Sequence, residues 1–107
     1  ALLYPHVQLK EGERDLTVLR VEVRGRKDGQ SRRYKAEMVD RYDEATGFTS
    51  MARTTAFTGA IVARMVARGE VAARGLCTPE QVITGPLLER LLAELAAANV
   101  YFEVTAE

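Results

Sequence analysis

Cysteine, histidine and tryptophan are nearly missing from these 107 residues, which hold one Cys, one His and no Trp. A single Cys77 excludes an internal disulfide and a multi-cysteine zinc cluster. His6 adds no set of imidazole ligands, so no metal site is expected, and Cys77 has no base near it in sequence to make it a nucleophile. No two glycines stand one residue apart, which removes the dinucleotide fingerprint and the phosphate-binding loop. No Ser/His/Asp constellation is present either. An apolar run long enough to cross a bilayer is absent, as is a charged-then-apolar leader, so a soluble, reducing, cytoplasmic setting without a membrane partner is expected. An excess of charge of one sign is also lacking. Fifteen basic and fifteen acidic side chains cancel to a formal net charge of zero, which argues against partners drawn by bulk charge, such as duplex DNA.

What is present reads as one folded domain: 47% of the residues are hydrophobic and no low-complexity run interrupts them. Residues 1–15 show no sustained period and read as a linker or extended arm, either a processed start or the edge of a longer protein. Residues 16–107 read as a single α+β domain. Its first half opens on Leu16–Arg24, where Leu19, Val21 and Val23 alternate with Val18, Arg20, Glu22 and Arg24. Asp28-Gly29 is a two-residue hairpin signal, because both positions must tolerate positive φ. A second strand then runs from Arg32 to about Tyr42. Closing the turn with Lys27 opposite Gln30 sets Val23 against Tyr34, Val21 against Ala36 and Leu19 against Met38. On the other face it sets Glu22 against Lys35 and Arg20 against Glu37, and a slip of one residue would destroy both sets. The basic tip lacks exposed aromatics and reads as a charged edge hairpin that discourages edge pairing, not as a nucleic-acid ribbon.

The second half reads as helical. Asp40, Asp43 and Glu44 precede Gly47 in a turn, without a complete cation-loop pattern. A first helix starts between Ser50 and Thr55 and runs to about Arg68, with Phe57, Ile61 and Met65 spaced four apart and Gly69 as its C-cap. Thr78-Pro79-Glu80-Gln81 is a capping box that opens a short turn. Gly85-Pro86 restarts the chain into a helix striped by Leu87, Leu88, Leu91, Leu92 and Leu95, with Asn99 as its C-cap. Val100–Thr105 alternates as a last strand returning to the sheet. The expected architecture is an antiparallel hairpin plus that strand, with two main helices packed on one face.

The junction of the two halves, Thr49–Phe57, carries the candidate chemistry. A helix N-terminus offers unpaired N–H groups and partial positive charge, and Arg53 can grip a carboxylate through paired hydrogen bonds. Two roles are open there. Thr54 or Thr55 caps the helix while Arg53 pairs with a nearby acid, or the block anchors a substrate anion.

The runs Val21–Gly29, Asp40-Arg41-Tyr42-Asp43, Thr46–Thr55, Ala60–Ala63 and Gly75–Glu80 together resemble the C-terminal domain of the saccharopine dehydrogenase and lysine dehydrogenase family. The likeness extends over about residues 16–105. It implies a substrate-binding and dimerisation domain that works with an N-terminal Rossmann domain binding NAD or NADP, a domain this chain lacks. The implied reaction is oxidation at a C–N bond of a lysine-type amino acid or its saccharopine adduct, with hydride transfer to the nicotinamide. The implied partners are a second copy of the chain and a small amino-acid substrate; nucleic acid is not among them. Arg53, Thr54 and Thr55, with Ser50 in the same block, are placed at the substrate α-carboxylate, and Tyr42 and Asp40 at its amine. No catalytic residue, metal or cofactor is assigned to the chain. The competing reading is a non-catalytic binding or dimerisation module of the same fold.

Overall fold

A computed structural model describes residues 2–107. Strands β1 (Leu16–Lys27) and β2 (Gln30–Arg41) form an antiparallel hairpin, and β3 (Glu103–Ala106) pairs antiparallel with β2 on its far side, giving the order β1-β2-β3. The expected register holds throughout, from Lys27 opposite Gln30 to Leu19 opposite Met38. Asp28 and Gly29 take φ of 53° and 76° at the turn, the paired positive values a two-residue hairpin demands. The charge partners shift within that register. Glu22 faces Lys35 but bonds Arg33 at 2.8 Å, and Lys35 instead reaches Glu37 at 2.6 Å.

Two departures from the expected boundaries have local causes. The arm is not fully extended, because Tyr4–Val7 forms one helical turn (α1) with Pro5 early in it, a position where the missing N–H costs nothing. The last strand begins at Glu103, not Val100, because Asn99 at φ 60° and a buried Val100 complete the end of the preceding helix.

A long helical stretch follows the hairpin as α2 (Ser50–Ala52), a π-helical turn over Arg53–Phe57 and α3 (Thr58–Ala67). Within the π turn, Thr54 donates its hydroxyl to the Ser50 carbonyl at 2.9 Å, and Thr58 donates to the Thr54 carbonyl at 2.7 Å. Short α4 (Pro79–Val82) starts at Thr78, whose N–H is accepted by the Gln81 side chain at 3.1 Å. Helix α5 (Pro86–Ala97) packs on α3. Both long helices end alike. Gly69 at φ 74° lets Glu70 donate to Met65, and Asn99 lets Val100 donate to Leu95, which satisfies last-turn carbonyls. Met38, Ile61, Met65, Ile83, Leu95 and Val100 form the core. Helices cover only the Met38 end of the inner sheet face. Farther along β1, Val21 is 47% and Val23 is 56% exposed.

Candidate functional site

Sequence order alone separates Asp15 from the helical stretch, but the hairpin register brings them together. Tyr42 N–H donates to the Asp15 carbonyl at 3.0 Å, extending the ladder by one residue and setting the Asp15 side chain beside the start of α2. Its carboxylate accepts the Ser50 N–H at 2.6 Å and the Met51 N–H at 2.7 Å. Thr49 accepts the Ala52 N–H at 3.1 Å, so three consecutive N-terminal donors are satisfied inside the chain. Partial burial pushes the Asp15 carboxyl up, but the N–H bonds from Met51 and Ser50 outweigh it and hold the group below its ordinary value. The anion that a helix N-terminus attracts is here the protein's own. Buried Ser50 adds a hydroxyl bond to Thr17 at 2.8 Å.

Arg53 leaves the π turn and points inward, with only 5% of its surface exposed. One terminal nitrogen donates to the Arg41 carbonyl at 3.0 Å and lies 3.3 Å from the Asp40 carboxylate. The other donates to the Ala98 and Asn99 carbonyls at 2.9 and 3.1 Å. The guanidinium therefore closes the C-terminal end of α5, where carbonyls face outward and a cation is favoured, and ties that end to the end of β2. Asp40 is itself 4% exposed, and its Oδ2 has no hydrogen-bond partner.

The six expected site residues thus fall into two groups. Asp40, Arg53 and Ser50 are buried and engaged with the fold. Thr54 is half-buried and bonded back to Ser50, Thr55 is exposed with its hydroxyl 3.7 Å from the Met51 sulfur, and Tyr42 is half-buried with the Arg14 guanidinium 5.7 Å from its ring centroid. Arg14 also pairs with Glu44, a hydrogen bond that holds the Glu44 carboxyl below its ordinary value. Asp43 closes the turn, accepting from Thr46 and Ala45, and these bonds hold it low as well. Asp40, Asp43 and Glu44, the acids before Gly47, thus serve separate ends, and no group of metal-ligating residues occurs among the described residues. Where the helical block meets α5, Phe57, Ala60, Ile61, Arg64, Glu94 and Ala98 line a shallow groove of about 200 Å³. None of the six expected residues lines it.

Asp15, Thr17 and Arg14 are the contributors that a motif reading misses. The register of the hairpin was the available signal, since extending it by one pair sets Asp15 opposite Tyr42, beside the loop that leads into the helix.

The fold is that of an α+β unit, a three-stranded antiparallel sheet with helices packed against it. The chain belongs to the saccharopine dehydrogenase C-terminal domain family, which it matches over residues 1–100. It is 36% identical over 84 residues to alpha-aminoadipic semialdehyde synthase, mitochondrial, of Bos taurus, covering 78% of this chain and 9% of that protein. The Mus musculus and Rattus norvegicus proteins of the same name are 43% and 41% identical over 54 residues, covering 50% of this chain and 6% of each of them. The chain therefore spans less than a tenth of the length of these relatives. No solved structure matches it. Among the described residues no helix is long and apolar enough to cross a membrane.

Proposed function

We propose that the chain is the substrate-binding and dimerisation domain of an NAD(P)-dependent dehydrogenase acting on saccharopine or a related lysine-type amino acid. The family match over residues 1–100 carries this reading, and the name of the bovine relative points to the same chemistry. In this reading the nicotinamide is held by a Rossmann domain and hydride transfer takes place there. The chain contributes one wall of the substrate pocket and the contact between subunits. Thr54 and Thr55, with Tyr42 across the junction, are the groups of the candidate set with surface to offer a bound amino acid. Arg53, Asp40 and Ser50 act as positioning residues, because their polar atoms are turned into the fold. The cytoplasmic setting expected from composition stays part of the proposal, beside relatives whose names place them in mitochondria.

Titration of the 107-residue chain with NADH and NADPH tests the division of labour. No binding is expected, and tight binding of either would overturn it. Substrate contact is tested by Thr55→Val in an enzyme that carries this domain. A KM raised about tenfold with unchanged melting temperature supports the contact, and unchanged kinetics refute it.

A further inference from the structure

Two buried side-chain oxygens have no hydrogen-bond partner among the described residues, Glu70 Oε2 and Asp40 Oδ2. Glu70 lies toward the surface, with its other oxygen 2.8 Å from Arg90. Asp40 is the deeper of the two, and the guanidinium beside it does not serve Oδ2. One terminal nitrogen of Arg53 is taken up by the Ala98 and Asn99 carbonyls. The other bonds the Arg41 carbonyl and approaches only Oδ1, at 3.3 Å. A buried ion pair is sustained only when its remaining lone pairs also find donors, so Oδ2 needs one.

A donor stands ready on the neighbouring strand. Thr17 is the cross-strand partner of Asp40, so the two side chains share the inner face of the hairpin. The Thr17 hydroxyl accepts the Ser50 hydroxyl at 2.8 Å. Two hydroxyls carry two protons and use one between them, so one is left over whichever way their bond is polarised. Among the described residues that proton has no acceptor, and Thr17 makes no direct hydrogen bond to Asp40. The spare donor and the spare acceptor thus belong to one small polar cluster.

We infer that a single internal water molecule binds there, donating to Asp40 Oδ2 and accepting from the Thr17–Ser50 hydroxyl pair. Water is the smallest group that can donate to a carboxylate and accept from a hydroxyl at once, and two polar partners are enough to order it. A second cation is disfavoured, because the Arg53 guanidinium already balances the carboxylate. The water completes the buried ion pair and joins β1, β2 and the helical stretch through Thr17, Asp40 and Ser50. Protein packed on the outside of the domain cannot reach an enclosed oxygen. The site therefore belongs to this unit in any longer chain, and it is independent of the reaction proposed above.

Oxygen-17 magnetic relaxation dispersion of the 107-residue chain tests this, since it counts long-lived waters and is blind to hydroxyl proton exchange. Thr17→Val keeps the side-chain shape and removes the hydroxyl. It is expected to lose the contribution of one long-lived water and to lower the melting temperature, whereas Thr17→Ser should retain both. A crystal structure of the unsubstituted chain should place a water within about 3.2 Å of both Asp40 Oδ2 and a hydroxyl of the Thr17–Ser50 pair. Equal dispersion in the unsubstituted and Thr17→Val chains overturns the site. So does a crystal structure in which Thr17 turns to donate directly to Oδ2. Should Thr17→Val fail to fold, the crystal structure of the unsubstituted chain still decides the matter.

Discussion

The carboxylate of Asp15 caps a helix that begins thirty-five residues later, accepting the Ser50 N–H at 2.6 Å. With the second bond from Met51, this contact joins the start of the hairpin to the start of the helical stretch. It also decides how the junction is read, because the helix end that looked open to a substrate anion already holds one. Replacing Asp15 with Ala removes the acceptor for two N–H groups and is expected to cost about 0.5–2 kcal/mol, the range for loss of an N-cap side chain. Chemical denaturation measures it directly. An unchanged midpoint would show that water replaces the carboxylate without loss.

Acid should act through the same contact. The Asp15 carboxyl titrates below its ordinary value because the N–H bonds from Met51 and Ser50 outweigh the opposing effect of partial burial. The folded state therefore binds its proton less readily than the unfolded chain. The resulting stabilisation is fully present above the unfolded value, about 3.9, and is lost as pH falls through the lower folded value. Glu22, held low by Arg33 and Arg24, and Glu37, held low by Lys35, act in the same direction at the surface. Melting temperature should be flat from neutral pH down to about 5 and fall below about 4. The fall should be shallower in Asp15→Asn, and an acid limb of equal steepness in that variant would remove Asp15 from the account.

Arg53 and Asp40 are the pair on which the two halves of the fold depend. Removing one partner of a buried ion pair leaves the other charged and unsatisfied, at a cost of about 3–5 kcal/mol. Arg53→Ala is expected to fall in that range, since it also strips donors from the Arg41, Ala98 and Asn99 carbonyls. Arg53→Lys should recover only part of the loss, because one ammonium cannot span the acceptors that the guanidinium fork reaches. The double change Arg53→Met with Asp40→Leu should cost less than Arg53→Ala, as no buried charge is then stranded. Equilibrium unfolding of the set checks the ranking. An Arg53→Ala chain of full stability with impaired substrate binding would restore Arg53 to direct contact with the substrate.

Much of this was legible in the sequence for a physical reason that also explains the gaps. The hairpin register followed from Asp28-Gly29 and the alternation of Leu19, Val21 and Val23, because turn chemistry and side-chain period are local. Gly69 and Asn99 marked the helix ends for the same reason. The π turn did not follow, since Arg53–Phe57 carries no breaker, and hydroxyl bonds from Thr54 and Thr58 to the carbonyls four residues back suit an ordinary α-helix equally well. The destination of Arg53 was half legible. A nearby acid was one of the two expected partners, but Ala98 and Asn99 lie more than forty residues on and only the packing of α5 brings them close. Residues 4–7 lie in the stretch expected to be an extended arm and form a helical turn instead, since Pro5 is tolerated in the first turn of a helix.

Gly69 and Asn99 occupy equivalent places at the ends of α3 and α5, and the comparison separates two effects. Both are left-handed, at φ 74° and 60°, and no atom lies within 4 Å of a Cβ added at Gly69. Gly69→Ala therefore meets backbone strain without a clash, and is expected to cost about 1–2 kcal/mol. Asn99→Gly relieves that strain and should be neutral or slightly stabilising, offset by the higher chain entropy of glycine when unfolded. Thermal unfolding of the two variants checks the signs, and a stabilising Gly69→Ala would show that α3 ends differently in solution.

Met65 is fully buried, at 0% exposure, beneath the joint of α3, α5 and the sheet. Truncation to Ala leaves a cavity among Met38 on β2, Ile61 on α3, Leu95 on α5 and Val100 just beyond α5, side chains on separate stretches of backbone that cannot all collapse into it. The expected loss is about 2–5 kcal/mol, the range for large-to-small changes in a core. Met65→Leu nearly conserves volume and should cost less than about 1.5 kcal/mol. A Met65→Ala loss well below 2 kcal/mol would mean that α5 moves to close the gap. Because Arg53 holds the C-terminal end of α5 through Ala98 and Asn99, combining Met65→Ala with Arg53→Lys should then give a loss that departs from the sum of the two.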